Sequence, residues 1–412
     1  MTTRGGCWVS ELQPTPPAAY DEVFAGLEVP FAFVDLDATR LNAERMLRSA
    51  GGKPVRIASK SVRSRALLEQ FLSYSPRFQG LLNLTLPEAL WLHSHGFKDL
   101  VVAYPSVAPG QLSALAAVTS SDPAGAPVVM VDCVEHLDLI TAQIHPGQPP
   151  VRVCIDLDVG WRPLHGLIKL GPKRSPLHDV AGASAIARAI VARPGLKVVG
   201  AMAYEGLIAG VADRVPGRGL ENFMIRAIKD RSTLDVARRR AELVAAIELV
   251  TGKLEFVNGG GTGSLASTTA EAAVTEATAG SGFYAPQLFQ YYRSLSLAPA
   301  AGYALPITRR PSTRVATALG GGYIASGATR PDRQPLPFWP AGLKLDPQEG
   351  AGEAQTPLLG PGAAALPIGG HVYMRHAKAG ELCERFNSLY LISAGQVVDE
   401  VPTYRGEGKA FL

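Results

Sequence analysis

The chain has 412 residues, of which 47% are hydrophobic and 18% are charged, so it can bury a large core and is not a disordered protein. Lysine and arginine number 40 against 36 acidic residues, a net charge of +4, which gives no electrostatic reason to propose a nucleic acid or an anionic membrane as partner. Neither a disulfide framework nor a zinc finger is expected, because the four cysteines are scattered: Cys7, Cys133, Cys154 and Cys383.

The sequence carries no recognisable sorting or membrane signal. The first residues, MTTRGGCWVSELQP, lack an apolar run followed by a small-residue cleavage site. No stretch of 18 apolar residues occurs that would span a bilayer. We therefore expect a cytoplasmic globular protein.

A regular alternation of strand and helix patterns begins near Phe31, after a proline-rich lead-in over residues 1–30. Strands are predicted near Phe31–Asp35, Val55–Ser59, Gly80–Leu84, Leu100–Tyr104, Pro127–Val131, Val151–Asp156, Lys197–Tyr204 and Leu254–Val257. About eight such β-α units favour an α/β fold, a (β/α)8 TIM barrel over residues 31–298. A doubly wound sheet is the alternative, because periodicity alone does not show that a sheet closes.

The pattern changes after about Pro299, where helical periodicity fades and glycine and proline separate short strand-like runs. Such runs occur at Thr313–Leu319, Val372–Arg375, Ser388–Ile392 and Gln396–Val401. We predict a C-terminal all-β domain over residues 299–412, with the lead-in packed on it.

Active sites of such barrels lie where the strands end, so the strand ends hold the first candidates. Lys60 follows the second predicted strand, and burial in a crowded site would free its amine for condensation with an aldehyde. A lysine that merely reaches the surface past its strand is the alternative.

The last predicted strand ends in the glycine-rich loop 258–264, followed by a stretch predicted helical, Ser267–Thr278. Glycines let the backbone approach an anion, and loops at this place in barrels often bind phosphate. Gly261, Thr262 and Gly263 are the candidate contacts, and the second loop, 279–282, adds Ser281. A tight turn without a ligand is the alternative.

Two arginines and a tyrosine complete the set. Arg162, or its rival Arg174 from the same loop, could donate to a ring nitrogen or a carboxylate. Tyr204 ends the seventh predicted strand and could donate to a phosphate or carry a proton. An amine, a phosphate-binding loop, an arginine and a tyrosine at one rim are what pyridoxal 5′-phosphate requires.

These segments resemble the fold-type III pyridoxal-phosphate enzymes, with an alanine-racemase-like barrel, and within them the D-threonine aldolase and D-serine dehydratase group. The resemblance runs from about residue 30 to the end, through Phe33–Asp37, Ala58–Ser61, Asp156–Arg162, Ala203–Gly206, Gly259–Gly263 and Gly280–Tyr284. It implies that Lys60 anchors the cofactor, that Arg162 or Arg174 faces the pyridine nitrogen, and that Tyr284 joins Tyr204 and the glycine loops around the ring and phosphate.

The resemblance also implies a divalent metal ion (Mn, Mg or Zn), but here the sequence departs from the group. The group has a histidine with Asp or Cys two residues on, whereas His376 is followed at that spacing by Lys378. Cys383 is the candidate second ligand, and a surface histidine without metal is the alternative.

The activity implied is a lyase on β-hydroxy D-amino acids, either retro-aldol cleavage or deamination, working as a homodimer. Glu205, His376 and Tyr204 are the candidate acids or bases, and Arg56 or Arg63 could bind the substrate carboxylate. The alternatives are an amino-acid racemase or epimerase on the same fold and a non-catalytic carrier of the cofactor.

Overall fold

The computed structural model describes residues 13–163, 167–327 and 331–411. Its helices are α1 (Tyr20–Val23), α2 (Leu36–Ser49), α3 (Arg65–Ser73), α4 (Leu86–Ser94), α5 (Pro109–Ser121), α6 (Val134–Thr141), α7 (Val180–Val191), α8 (Gly206–Ala209), α9 (Gly219–Thr251), α10 (Leu265–Thr269) and α11 (Ser281–Tyr284). Among the described residues, no helix has the length and hydropathy needed to cross a bilayer.

Eight parallel strands form a barrel: β2 (Val55–Ala58), β3 (Phe78–Asn83), β4 (Leu100–Val102), β5 (Val129–Val131), β6 (Val151–Leu157), β7 (Leu196–Ala203), β8 (Phe256–Gly259) and β9 (Glu276–Ala279). A parallel bridge between Val101 and Val128 joins β4 to the segment before β5 and closes the ring. Most of these strands are buried throughout, as expected for a parallel sheet covered by helices. The predicted TIM barrel is therefore confirmed, and the doubly wound sheet is not.

Two predicted elements were placed wrongly. The strand Phe31–Asp35 (β1) is not the first barrel strand: it pairs with residues 301–304 and 390–392 of the other sheet. The sequence could not show this, because a short apolar strand followed by a helix has the same pattern whether it belongs to the barrel or to the second sheet. The stretch Ser267–Thr278 is helical only up to Thr269, because its end pairs with β2 and β8 as the eighth barrel strand.

The second sheet is mixed and has nine strands: β1, β10 (Ala301–Ser312), β11 (Val315–Leu319), β12 (Leu336–Trp339), β13 (Lys344–Leu345), β14 (Gln355–Leu359), β15 (His371–Arg375), β16 (Ser388–Ser393) and β17 (Gln396–Pro402). This confirms the C-terminal β domain, with one strand added from before the barrel. Tyr20 and Phe24 of the lead-in contact this sheet, since their rings lie 5.0 and 4.9 Å from that of Phe33.

One hydrophobic cluster runs through both sheets and fixes the barrel against the β domain. It joins Ile57 and Phe283, from the barrel side, to Tyr303 and Met374 of the second sheet. Because these residues are fully buried, the two parts pack as one core next to the C-terminal ends of the barrel strands.

Candidate active site

A cavity of about 600 Å³ lies at the C-terminal ends of the barrel strands. The barrel contributes Lys60, Tyr104, Arg174, Tyr204 and residues of both glycine loops to its wall. The β domain contributes Ser326, Gly327, Arg333, Lys378, Ala379 and Glu381. The site is therefore built from both parts of the chain.

Lys60 enters this cavity from a short turn after β2. The strand is buried, and the turn Ser59–Ser61 that follows it carries the lysine side chain over the barrel mouth. Its Nζ donates a hydrogen bond to the hydroxyl of Tyr104 at 2.8 Å. Burial would raise the pKa of Tyr104, but the positive charges of Lys60, Arg174 and Lys378 outweigh it, and the pKa is lowered. The amine is thus held in place by a polarised hydroxyl.

The two glycine loops meet on the other side of the cavity. The amide of Gly282 donates to Oγ1 of Thr262 at 3.1 Å, and that hydroxyl lies 3.4 Å from Oγ of Ser281. A Cβ on Gly280 would lie 2.6 Å from the carbonyl oxygen of Ala58, so only glycine allows this loop to approach the strand that carries Lys60. Gly261, Thr262, Gly263 and Ser281, the predicted contacts of the two loops, all line the cavity.

The structure distinguishes the two candidate arginines. Arg174 lines the cavity, with its guanidinium over the rings of Tyr204 and Tyr104 at 4.9 and 5.5 Å. Arg162 does not line it, and donates instead to the carboxylate of Asp158 at 2.7 Å. The structure therefore places Arg174 rather than Arg162 at the cavity, because the carboxylate of Asp158 pairs with Arg162.

Glu205, a predicted acid or base, lies behind the glycine loop rather than in the cavity. It is buried, and its carboxylate accepts hydrogen bonds from the amide of Gly260 at 3.0 Å and from Nη2 of Arg240 at 2.8 Å. The hydroxyls of Ser264 and Thr268 donate to it as well. All of these partners are structural, so Glu205 fixes the loop.

The two predicted tyrosines have different surroundings. Tyr204 lines the cavity, and burial raises its pKa, so it stays protonated and can donate. Tyr284 is fully buried, and its hydroxyl donates to the carbonyl oxygen of Val62 at 2.9 Å. Tyr284 is not part of the described cavity wall, so the structure does not bring it together with the other predicted cofactor contacts.

The predicted metal ligands do not form a metal site. His376 is buried rather than on the surface, its Nδ1 lies 3.2 Å from the carbonyl oxygen of Ala301, and burial lowers its pKa to about 3. Cys383 is also buried; its thiol donates to the oxygen of Val62, and burial raises its pKa to about 12. Neither lines the cavity, whereas the cationic Lys378 does.

The side chains around His376 also do not form a ligand set for a divalent metal ion. Nε2 of His376 is buried and has no hydrogen-bond partner among the described residues, but no described group of three or more metal-capable side chains includes it. Within the described ranges, three metal-capable side chains meet only after β5, at Asp132, Cys133 and His136. Nδ1 of that histidine lies 3.1 Å from a carboxylate oxygen of Asp132, outside the cavity wall.

Sequence reasoning missed several residues of the wall. Tyr104 lies two residues after the end of β4, so the rule that located Lys60 would also have found it. Arg333 and Glu381 come from the β domain, where no strand-end rule applies. Arg56 is not at the rim: it is buried in the barrel and pairs with Glu276 at 2.7 Å.

The wall of the cavity fits pyridoxal 5′-phosphate. It offers one amine in a polarised setting, the hydroxyls of Thr262 and Ser281 on the two glycine loops as donors for a phosphate, and a guanidinium held over aromatic rings. The cofactor needs these three kinds of group.

A scan against models of protein families and a search of curated proteins each gave no match. Solved structures do match. D-threonine aldolase from Filomicrobium marinum matches with a TM-score of 0.75 and 19% identity, over 92% of this chain and 95% of that one. D-threo-3-hydroxyaspartate dehydratase from Delftia sp. HT23 gives 0.72 and 18%, over 92% and 98%. Alanine racemase from Corynebacterium glutamicum gives 0.57 and 14%, over 84% and 90%. The resemblance is thus confirmed at the level of the fold, which is that of the fold-type III pyridoxal-phosphate enzymes.

Proposed function

We propose that the protein is a pyridoxal-phosphate-dependent lyase acting on β-hydroxy D-amino acids. The observation that carries the proposal is that Lys60, both glycine loops and Arg174 face one cavity. Two of the solved structures with this fold are a D-threonine aldolase and a D-threo-3-hydroxyaspartate dehydratase. Both of those names describe enzymes that act on β-hydroxy D-amino acids.

Each group of the wall has a defined task in this proposal. The bound cofactor supplies an electron sink that weakens the bonds at the α-carbon of an amino acid. The Lys60 amine binds the cofactor aldehyde, and Tyr104 keeps that amine oriented. The hydroxyls of Thr262 and Ser281, which line the cavity, would hold the phosphate, and Arg174 would bind beside the ring. Tyr204 is a proton donor at the rim.

The contribution of the β domain favours an enzyme over a non-catalytic carrier of the cofactor. Ser326, Arg333, Lys378 and Glu381 all lie beyond residue 299 and complete the cavity wall. Enclosure of this kind excludes water and places polar groups around a substrate. A carrier would not require it.

Product analysis tests the proposal and separates its two forms. An aldolase converts D-threonine to glycine and acetaldehyde, whereas a deaminating lyase converts D-serine to pyruvate and ammonia. A racemase would release neither product pair and would instead convert D-alanine to L-alanine. If the cofactor-loaded protein yields none of the lyase products from D-threonine, D-serine or D-3-hydroxyaspartate, the proposal fails.

We also propose that the chain forms a homodimer. Leu220, Phe223 and Met224 are exposed at the start of α9, and their spacing puts them on one face of that helix. Light scattering coupled to size-exclusion chromatography should give twice the chain mass. The double substitution of Leu220 and Phe223 by serine should shift the mass toward one chain; a wild-type monomer would contradict the proposal.

A further inference from the structure

The β-domain side of the cavity carries a lysine whose charge is not balanced there. Lys378 follows β15, lines the cavity, and donates to the hydroxyl of Ser326 at 3.1 Å. Lys60, Arg333 and Glu381 line the same cavity as Lys378. The ammonium group therefore lies near the anchoring lysine.

The neighbouring groups leave a positive charge and unpaired atoms in this part of the wall. Glu381 is the acidic residue of the described cavity wall, and its Oε1 accepts from the amide of Ser326 at 3.1 Å. The Nε of Arg333 comes no closer than 3.9 Å to Asp332. This Nε and Oε2 of Glu381 are buried without a hydrogen-bond partner in the parts of the chain that the structure describes. Such atoms are costly unless a ligand pairs with them.

We propose that Lys378 binds the β-oxygen of the substrate and supplies the positive charge that stabilises it, so that the enzyme needs no divalent metal ion. The inference rests on the proposed function. In this inference the Lys378 side chain stabilises the β-oxygen, which a metal ion bound at residues 376 and 378 would otherwise do.

The geometry gives two reasons. An ammonium group has three donors on a flexible stem, so it can keep its bond to Ser326 and still donate to a substrate oxygen across the cavity. A divalent ion at the same place would meet the charges of Lys378, Arg333 and Lys60, against the single carboxylate of Glu381. Repulsion from these charges disfavours the metal.

The first measurement is made on the cofactor-loaded wild-type protein. Its metal content is determined by mass spectrometry, and its turnover of D-threonine and D-serine is measured after dialysis against EDTA, with and without added Mn²⁺, Mg²⁺ or Zn²⁺. We expect well under one metal ion per chain and unchanged turnover. A stoichiometric ion whose removal stops turnover overturns the inference and leaves the proposed function intact.

The second measurement does not depend on turnover. Binding of D-serine and of D-alanine, which differ by the β-hydroxyl, is followed through the visible absorbance of the cofactor. The Lys378→Met variant should lose about tenfold or more of its affinity for D-serine relative to D-alanine, since a charged hydrogen bond is lost. Lys378→Arg should restore part of the preference.

Lys344→Met is the control, because Lys344 is an exposed lysine of the β domain outside the cavity wall. It should leave the ratio of the two affinities unchanged. If Lys378→Met keeps the wild-type ratio, the inference is overturned. If the wild-type protein takes up the cofactor but its spectrum responds to no amino acid, the inference and the proposed function both fail.

Discussion

Substitution of Glu205 tests whether this carboxylate supports the glycine loop or takes part in chemistry. In the structure it is buried against Arg240, which is itself fully buried and also pairs with Glu271. Glu205→Ala would leave Arg240 with one carboxylate fewer and the amide of Gly260 without an acceptor. Glu205→Gln keeps the shape and one acceptor but removes the charge.

The two substitutions should lower the unfolding free energy by different amounts. Removing one partner of a buried ion pair costs about 3–5 kcal/mol, so Glu205→Ala should lose that much unfolding free energy. Glu205→Gln should lose about 1.5–3 kcal/mol, the value of a charged hydrogen bond. Urea denaturation followed by circular dichroism measures both. Glu242→Gln, in an exposed pair with Arg238 on the same helix, is the control and should cost less than about 0.5 kcal/mol.

The functional result separates the two roles. If Glu205 positions the loop, Glu205→Gln should bind the cofactor more weakly, because the glycine loop is less well ordered. Once loaded with cofactor, the variant should turn over substrate within about tenfold of wild type, because the substitution does not touch the reacting groups. A Glu205→Gln protein of wild-type stability and cofactor affinity whose turnover falls by more than about a thousandfold would refute this reasoning.

Three further substitutions test one buried residue of the barrel and residues at or near the cavity wall. Burial, with Asp132 adding to it, raises the pKa of Asp156 from 3.8 to about 7. The folded state therefore binds the proton more tightly than the unfolded state, and the unfolding free energy falls by about 1.4 kcal/mol per pH unit as pH rises from 3.8 to about 7. Asp156→Asn should remove this pH dependence, which thermal melts from about pH 4 to 8 measure. Arg174→Leu should raise the cofactor dissociation constant about tenfold, whereas Arg162→Leu should change it less than about twofold, as measured by absorbance titration; equal effects would contradict the placement. Tyr104→Phe should slow cofactor capture up to about tenfold in stopped-flow absorbance, since one hydrogen bond to the amine is lost; an unchanged rate would contradict it.

Much of the fold could be predicted because parallel strands and their helices leave a periodic pattern. Lys60 and the glycine loops were found because barrels place functional groups at strand ends. The error at β1 shows the limit of this reasoning. A strand of five buried residues is followed by a helix in either sheet, and only its pairing with β10 and β16 decides where it belongs.

The predicted site residues that lie outside the cavity wall share a physical cause. Glu205, Arg162 and Tyr284 have the right chemistry at the right place in the chain, but each is used by a structural partner. Those partners come from residues such as Gly260 and Val62, whose proximity depends on the tertiary fold. Lys378 is the opposite case. In the sequence it only replaces an expected metal ligand, and the folded chain is needed to show that it lines the cavity.

The central claim is that the Lys60 amine anchors pyridoxal phosphate, and chemical trapping tests it most directly. The protein is incubated with the cofactor, the bond is fixed by borohydride reduction, and the labelled peptide is identified by mass spectrometry. We predict a label on Lys60 in the wild type and in Lys378→Met, and none in Lys60→Ala. A label on Lys378 with Lys60 unmodified, or no label after incubation with the cofactor, would contradict the account.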